Sequence, residues 1–220
     1  AGTMSQLRPE LLLQAYAIGV FPMAESHDDA RTFFVDPEKR GVLPLDAFHV
    51  SRSLRKEVKR RRFEIRCDTD FRGVLEGCAE PREERPDTWI NEEIFRLYMS
   101  LYEMGYGHSV ECWRDGKLVG GLYGVALGGA FFGESMFSRE PNASKVALVH
   151  LVARLKASGF ALLDSQFITE HLAQFGAIEI SRQDYRDQLA EAIKLPVEFY
   201  SGTEDWPFVE ELLQSRSQTS

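Results

Sequence analysis

Nowhere in the 220 residues does an apolar run approach the ~20 residues that a bilayer-crossing helix requires, and no hydrophobic signal segment opens the chain. Cysteine is scarce and odd in number. Cys67, Cys78 and Cys112 show no C-x-x-C spacing, which speaks against a disulfide-stapled secreted scaffold and for buried thiols in a reducing compartment, the cytoplasm. The five histidines (His27, His49, His108, His150, His171) share no ligand spacing with one another or with cysteine, so no metal site is expected. A P-loop, a G-x-S-x-G elbow and a strand-borne G-x-G-x-x-G are all missing, so ATP, serine-hydrolase and dinucleotide chemistry have no signature here. What is present is 44% hydrophobic, 27% charged and 11% aromatic residues, enough for a core and incompatible with disorder.

Net charge is −8, yet the stretch Ser51–Arg66 inverts it. Arg52, Arg55, Lys56, Lys59, Arg60, Arg61, Arg62 and Arg66 face only Glu57 and Glu64 there. An acidic protein with one dense basic segment suggests either a local polyanion contact or a solvated helix face. No aromatic residue interrupts Arg52–Arg62, so the segment suits phosphate contact rather than base stacking.

Along the chain, Pro9 to Gly19 reads as a short helix with Pro in its first turn and Gly just past its last. Phe21–Pro44, rich in Pro, Gly and aromatics, reads as a folded loop with short strands. The basic segment reads as a helix capped by Ser51 or Ser53. Glu80–Pro86 is a polar, proline-bounded linker. It divides an N-terminal domain (4–86) from a second domain (87–200), followed by a C-terminal tail (201–220) that is expected to fray at its end. In the second domain a helix from Asn91 to Gly105 precedes two strands joined at Asp115-Gly116, a strong hairpin signal. A third strand runs through Phe131-Phe132, a helix spans about Ala143–Ala157, and short strands follow near Phe160–Phe167 and Ile178–Ile180. Antiparallel strands followed by β-α-β units give a mixed α+β sheet.

Polar groups interrupt apolar pattern in two places. Glu134 sits within Phe131-Phe132-Gly133-Glu134-Ser135-Met136-Phe137, where an unpaired carboxylate is costly. Asp164 and Gln166 are two apart on a strand, so their side chains should leave the same face, an acid and an amide together near a crossover. Each has a structural alternative: an ion pair for Glu134, a turn cap for Asp164. The run Gly120-Gly121-Leu122-Tyr123-Gly124 marks a bulge or a close backbone approach.

Ala15-Tyr16-Ala17-Ile18-Gly19-Val20-Phe21-Pro22, Asp36-Pro37, His49-Val50-Ser51-Arg52-Ser53-Leu54 and Thr88-Trp89-Ile90 form an ordered series of motifs. It continues through Gly107-His108-Ser109-Val110-Glu111, Leu118–Gly124, Gly133-Glu134-Ser135-Met136-Phe137-Ser138, Asn142-Ala143-Ser144-Lys145, Asp164-Ser165-Gln166 and Phe175-Gly176-Ala177. With this series, from about Pro9 to Leu189, the chain resembles the leucyl/phenylalanyl-tRNA–protein transferase family. The resemblance implies a GNAT-like acyltransferase domain behind a smaller N-terminal α+β domain, and no cofactor. It implies transfer of Leu or Phe, with Met as a further donor, from Leu-tRNA or Phe-tRNA to proteins with N-terminal Arg or Lys, marking them for N-end-rule degradation. A monomer with no membrane partner is expected.

Carried over residue by residue, the resemblance makes Asp164 and Gln166 the catalytic pair, with Asp164 polarising Gln166, and gives Glu134 a part in handling the acceptor. It places Trp89, Leu122, Phe131, Met136, Leu151 and Leu163 around the donor side chain and Met23 beside the terminal adenosine. Met23 stands where a well-known form of the family has Trp, and Leu122 where Met is expected. Arg52, Arg55, Lys56, Lys59, Arg60, Arg61 and Arg62 would hold tRNA phosphates. One rival is an acyl-CoA-dependent GNAT-type acyltransferase, which usually requires an Arg/Gln-x-x-Gly-x-Gly/Ala loop that Ser138–Lys145 lacks. Another is a tRNA-binding module without catalysis, against which Asp164 and Gln166 argue.

Overall fold

Local chemistry brackets most helices. In the computed structural model, which describes residues 7–23, 33–81, 90–166 and 169–215, α1 (Pro9–Ile18) starts on a proline and stops at Gly19, whose φ of 94° only glycine adopts readily. α2 (Arg52–Arg60) begins where Ser51 Oγ accepts the Leu54 N–H at 3.2 Å, and α4 (Glu92–Glu103) where Asn91 Oδ1 accepts the Ile94 N–H at 2.8 Å. Asp115 and Gly116, at φ 52° and 76°, turn β5 (Gly107–Arg114) into β6 (Lys117–Leu127). Then come β7 (Ala130–Ser138), α5 (Ala143–Ser158), β8 (Leu162–Gln166), α6 (Glu170–Ala173) and β9 (Ile178–Ser181).

Other elements carried weaker sequence signals. A two-stranded ribbon pairs β1 (Phe21–Met23) with β2 (Phe33–Val35). β3 (Lys39–Val42), β4 (Glu64–Cys67), α3 (Phe71–Ala79) and α7 (Arg182–Ala192) complete the body. Residues 206–214 of the segment read as a tail form a further helix, α8 (Trp206–Gln214), packed on α5. Residues 82–86 of the linker, Phe167 of the expected strand and residues 216–220 of the tail lie outside the described residues.

Seven strands form one sheet in the order β4-β5-β6-β7-β8-β3-β9. Every neighbouring pair is antiparallel except β7–β8, so the sheet is mixed and the fold class is the expected α+β. β3, from early in the chain, fills the place between β8 and β9.

Helices cover both faces. α2, α5 and α8 bury one core with Leu122, Phe131 and Leu163, while α1, α3, α4 and α7 bury another with Tyr123, Phe132 and Leu162. α5 lies so close to β6 that a Cβ on Gly120 would come 2.4 Å from the Ala143 Cβ, which explains one glycine of the run. Cys67, Cys78 and Cys112 form no disulfide with one another and are buried. Among the described residues no helix is long and apolar enough to cross a membrane.

Candidate active site

Two β-bulges meet at the centre of the sheet. On β7, Gly133 faces Gly124 and Ser135 faces Tyr123, which leaves Glu134 unopposed. A Cβ on Gly124 would lie 2.3 Å from the Phe132 carbonyl oxygen, so glycine is required beside that bulge. On β8, Gln166 faces Gly41 and Asp164 faces Val42, leaving Ser165 unopposed, and Gln166 takes a φ of 66°. Bulges re-aim side chains and end pairing. Accordingly the parallel pairing of β7 with β8 reaches only Phe132 and Asp164. Past that point the backbones are linked by a side-chain bond instead, Gln166 Nε2 donating to Glu134 Oε2 at 2.9 Å.

Asp164 is fully buried, and its carboxylate is occupied from several sides. Arg40 of β3 donates Nε to Oδ1 at 3.0 Å and Nη2 to Oδ2 at 2.5 Å, a bidentate fork. Tyr185 of α7 adds its hydroxyl at 2.9 Å, and the backbone N–H of Gln166 donates to Oδ1 at 2.8 Å. The Arg40 guanidinium lies between the rings of Phe21 and Tyr185, 4.6 and 4.3 Å from their centroids. Burial works against the charge of Arg40, but Asp164 outweighs it and holds the group ionised.

The expected side-chain contact between Asp164 and Gln166 is therefore not formed. Asp164 bonds the backbone of Gln166, and Glu134 holds its amide. The bulge at Ser165 breaks the alternation that would have set the two side chains together.

Glu134 collects further donors. Tyr16 of α1 donates its hydroxyl to Oε1 at 2.5 Å, and the Tyr98 hydroxyl of α4 lies 2.5 Å from that of Tyr16. Burial pushes the Glu134 carboxyl up to about 8, against the pull of the bonds from Tyr16 and Gln166, and the Asp164 charge adds to the rise. Both phenols are pushed well above their ordinary value, first by burial and then by the Glu134 charge. With Nε2 committed to Glu134, no described residue donates to the other end of the Gln166 amide, Oε1. Among the described residues it is a hydrogen-bond acceptor without a partner.

That amide borders a cavity of about 330 Å³, within the range of small-ligand sites. Met23, Leu122, Met136, Leu151 and Leu163 line it, together with Leu43, Leu148 and Leu172, and Glu134, Asp164, Gln166 and His171 supply polar edges. Phe131 is fully buried in the core, against Phe160 and Phe199 at centroid distances of 6.5 and 5.7 Å. Trp89 lies outside the described residues. Sequence reasoning missed Arg40, Tyr16, Tyr98 and Tyr185 as site members. Tyr16 and Tyr185 each stand four residues from a core leucine, Leu12 and Leu189, so they read as ordinary apolar stripe positions.

On the same side of the sheet as α5, α2 buries Leu54, Glu57 and Val58 and turns Arg52, Lys56, Lys59 and Arg60 outward, with Arg55 half-buried. Arg60 and Arg62 both pair with Glu57, and Arg61 stacks over Trp206, 4.3 Å from its centroid. For Arg52, Arg55, Lys56 and Lys59 no ion pair forms among the described residues.

A mixed sheet whose single parallel pair parts over an acid–amide cluster, beside an apolar cavity, defines an α+β protein with a candidate transferase site. The family is narrower. Residues 42–190 match the model of the leucyl/phenylalanyl-tRNA protein transferase and residues 5–38 that of its N-terminal domain, and the chain belongs to this family of aminoacyltransferases. Relatives named leucyl/phenylalanyl-tRNA–protein transferase include that of Paramagnetospirillum magneticum, 64% identical over 86% of this chain and 91% of its own. That of Maricaulis maris is 57% identical over 96% and 97%, and that of Phenylobacterium zucineum 58% over 90% of each. Among solved structures, L-PGS from Bacillus licheniformis is similar at 13% identity and a TM-score of 0.39, over 97% of this chain and 71% of that one.

Proposed function

We propose that this aminoacyltransferase moves Leu or Phe, with Met as a third donor, from tRNA to the α-amine of proteins beginning with Arg or Lys, and so marks them for degradation. The observation that carries the reading is the free Gln166 Oε1 beside an apolar cavity. The donor arrives as an activated ester, so no nucleotide motif is needed. The acceptor α-amine has an ordinary pKa of about 7.7–8.0 and is partly neutral at neutral pH, so alignment is the main task.

In this mechanism the cavity takes the donor's apolar side chain and Gln166 Oε1 accepts an N–H of the attacking amine. The bond from Nε2 to Glu134 fixes the amide and makes its oxygen the stronger acceptor. The amine nitrogen bonds to the ester carbonyl carbon, the carbon–oxygen bond to the ribose breaks, and the proton lost by nitrogen ends on the ribose oxygen. An amide is a weak base, so Gln166 positions rather than deprotonates. Asp164 fixes the backbone that aims Gln166, and Glu134, through the bond it accepts from Nε2, holds that amide where the acceptor amine arrives. The outward cations of α2 hold the acceptor stem by phosphates, without reading sequence.

The test is transfer of labelled leucine from Leu-tRNA to peptides that differ only in their first residue. Peptides opening with Lys or Arg should be modified and one opening with Glu should not. Equal modification of all three would overturn the acceptor assignment.

A further inference from the structure

Lys145 is the third residue of α5, where the helix dipole disfavours a cation, and the first turn holds no acid. Among the described residues no carboxylate comes within ion-pair distance of it. Glu140, the nearest acid in sequence, pairs with Arg114 at 3.1 Å. A charge placed against its helix and left unpaired calls for an anion from outside.

Its position says where. Leu148, one turn further along the same face of α5, lines the cavity, and Lys145 stands about 4.5 Å from it along the helix axis, outside the lining itself. His171 of α6 lines the cavity as well, and the Lys145 charge, after burial, is what lowers its imidazole below the usual value. Gln174 Nε2 lies 3.3 Å from His171 Nδ1 and 2.7 Å from the His171 carbonyl oxygen, which leaves the ring's Nε2 without a partner among the described residues. Beyond Lys145, α2 packs on α5, with Glu57 and Val58 beside Val146. Lys145 thus stands between the apolar cavity and the basic helix.

We propose that Lys145 and His171 form a phosphate-binding rim that grips the phosphate on the 5′ oxygen of the donor's terminal adenosine while the aminoacyl side chain fills the cavity. The proposal rests on the donor being an aminoacyl-tRNA. One ribose separates the ester from that phosphate, so the phosphate stays near the cavity mouth while the side chain fills the cavity.

The test uses two stable analogues, 3′-leucylamino-3′-deoxyadenosine with and without a 5′-phosphate, and equilibrium binding by calorimetry. The wild-type protein should prefer the phosphorylated analogue about tenfold, equivalent to about 1.4 kcal/mol, and less so as salt rises. Lys145→Glu should abolish the preference and Lys145→Arg should retain it. A wild-type protein indifferent to the phosphate, or a Lys145→Glu variant that keeps the preference, overturns the rim. Binding of intact Leu-tRNA, measured beside it, tests the reading beneath. If Leu-tRNA binds and the phosphate is ignored, only the rim is lost; if Leu-tRNA does not bind, the donor assignment goes first.

Discussion

Asp164 and Gln166 are adjacent in the site yet differ in what surrounds them, and substitution should separate them. Asp164 faces Arg40, Tyr185 and a backbone N–H, so Asp164→Asn puts an amide where the buried guanidinium needs a carboxylate. Breaking such a pair costs about 3–5 kcal/mol. A lower melting temperature and slow transfer are expected together. Gln166→Ala removes only the acceptor oxygen and one bond to Glu134. Single-turnover transfer should fall on the order of 100-fold with tRNA affinity nearly unchanged, and a wild-type rate would falsify the positioning role. Glu134 adds a pH signature. Its folded pKa of about 8 lies above the ordinary 4.5, so the folded protein keeps a proton that the unfolded chain has released. This group therefore makes stability fall as pH rises from about 4.5 to about 8. Glu134→Gln should flatten that part of the profile in urea titrations at pH 5 and pH 8, and an unaltered slope would mean the carboxyl is not held protonated.

At the level of elements, capping chemistry was readable from sequence, and the irregularities that make the site were not. Ser51, Asn91, Gly19 and Asp115-Gly116 act locally, through bonds or dihedral angles within a few residues, and each stands where it was expected. The bulges at Glu134 and Ser165 depend on what β6 and β3 present from across the sheet. No residue of β8 announces that Gly41 will face Gln166. β3 falls in the segment read as a loop with short strands, but its place in the sheet was not legible for the same reason: Lys39-Arg40-Gly41-Val42 looks polar and short, yet it runs between β8 and β9 with Arg40 against Asp164. For α2 the structure separates cations that already hold a partner from those without an ion pair among the described residues. Arg61 and Arg62 already hold Trp206 and Glu57, so their loss should tell partly on stability. Replacing Arg52, Lys56 and Lys59 together by alanine should leave the fold intact and weaken Leu-tRNA binding. The slope of log affinity against log salt should fall by about one for each phosphate contact removed. If filter binding across a salt series gives the wild-type slope, the tRNA lies on another face.

Across the whole molecule, the acid–amide site is assembled from α1, β3, α4, β7, β8 and α7, segments spread between Tyr16 and Tyr185, which is why its apolar and polar members were legible as motifs while their bonds were not. The opposite layer is tied down by one buried cluster. Asp205, just ahead of α8, accepts from His150 Nδ1 at 2.7 Å and from Arg154 Nε at 2.8 Å, and Arg154 also reaches the carbonyls of Tyr200 and Gly202. Arg154 is fully buried, and the Asp205 carboxylate is the counter-charge its guanidinium meets there. Burial works against the charge on Asp205, but His150 and Arg154 outweigh it and hold its pKa below the ordinary 3.8. A carboxyl held low contributes stability that is present above the unfolded pKa and drains away as pH falls through the folded one. Asp205→Ala should strand the guanidinium at a cost of about 3–5 kcal/mol, which for a chain of this size lowers the melting temperature by about 10 °C at neutral pH. Because the unfolded variant and wild-type chains differ by one ionised carboxyl, the gap between their melting curves should narrow toward pH 3. A gap of constant width, followed by calorimetry from pH 7 to pH 3, would mean that α8 is held on α5 by its apolar face, through Val209, Leu212 and Leu213, and not by the buried ions.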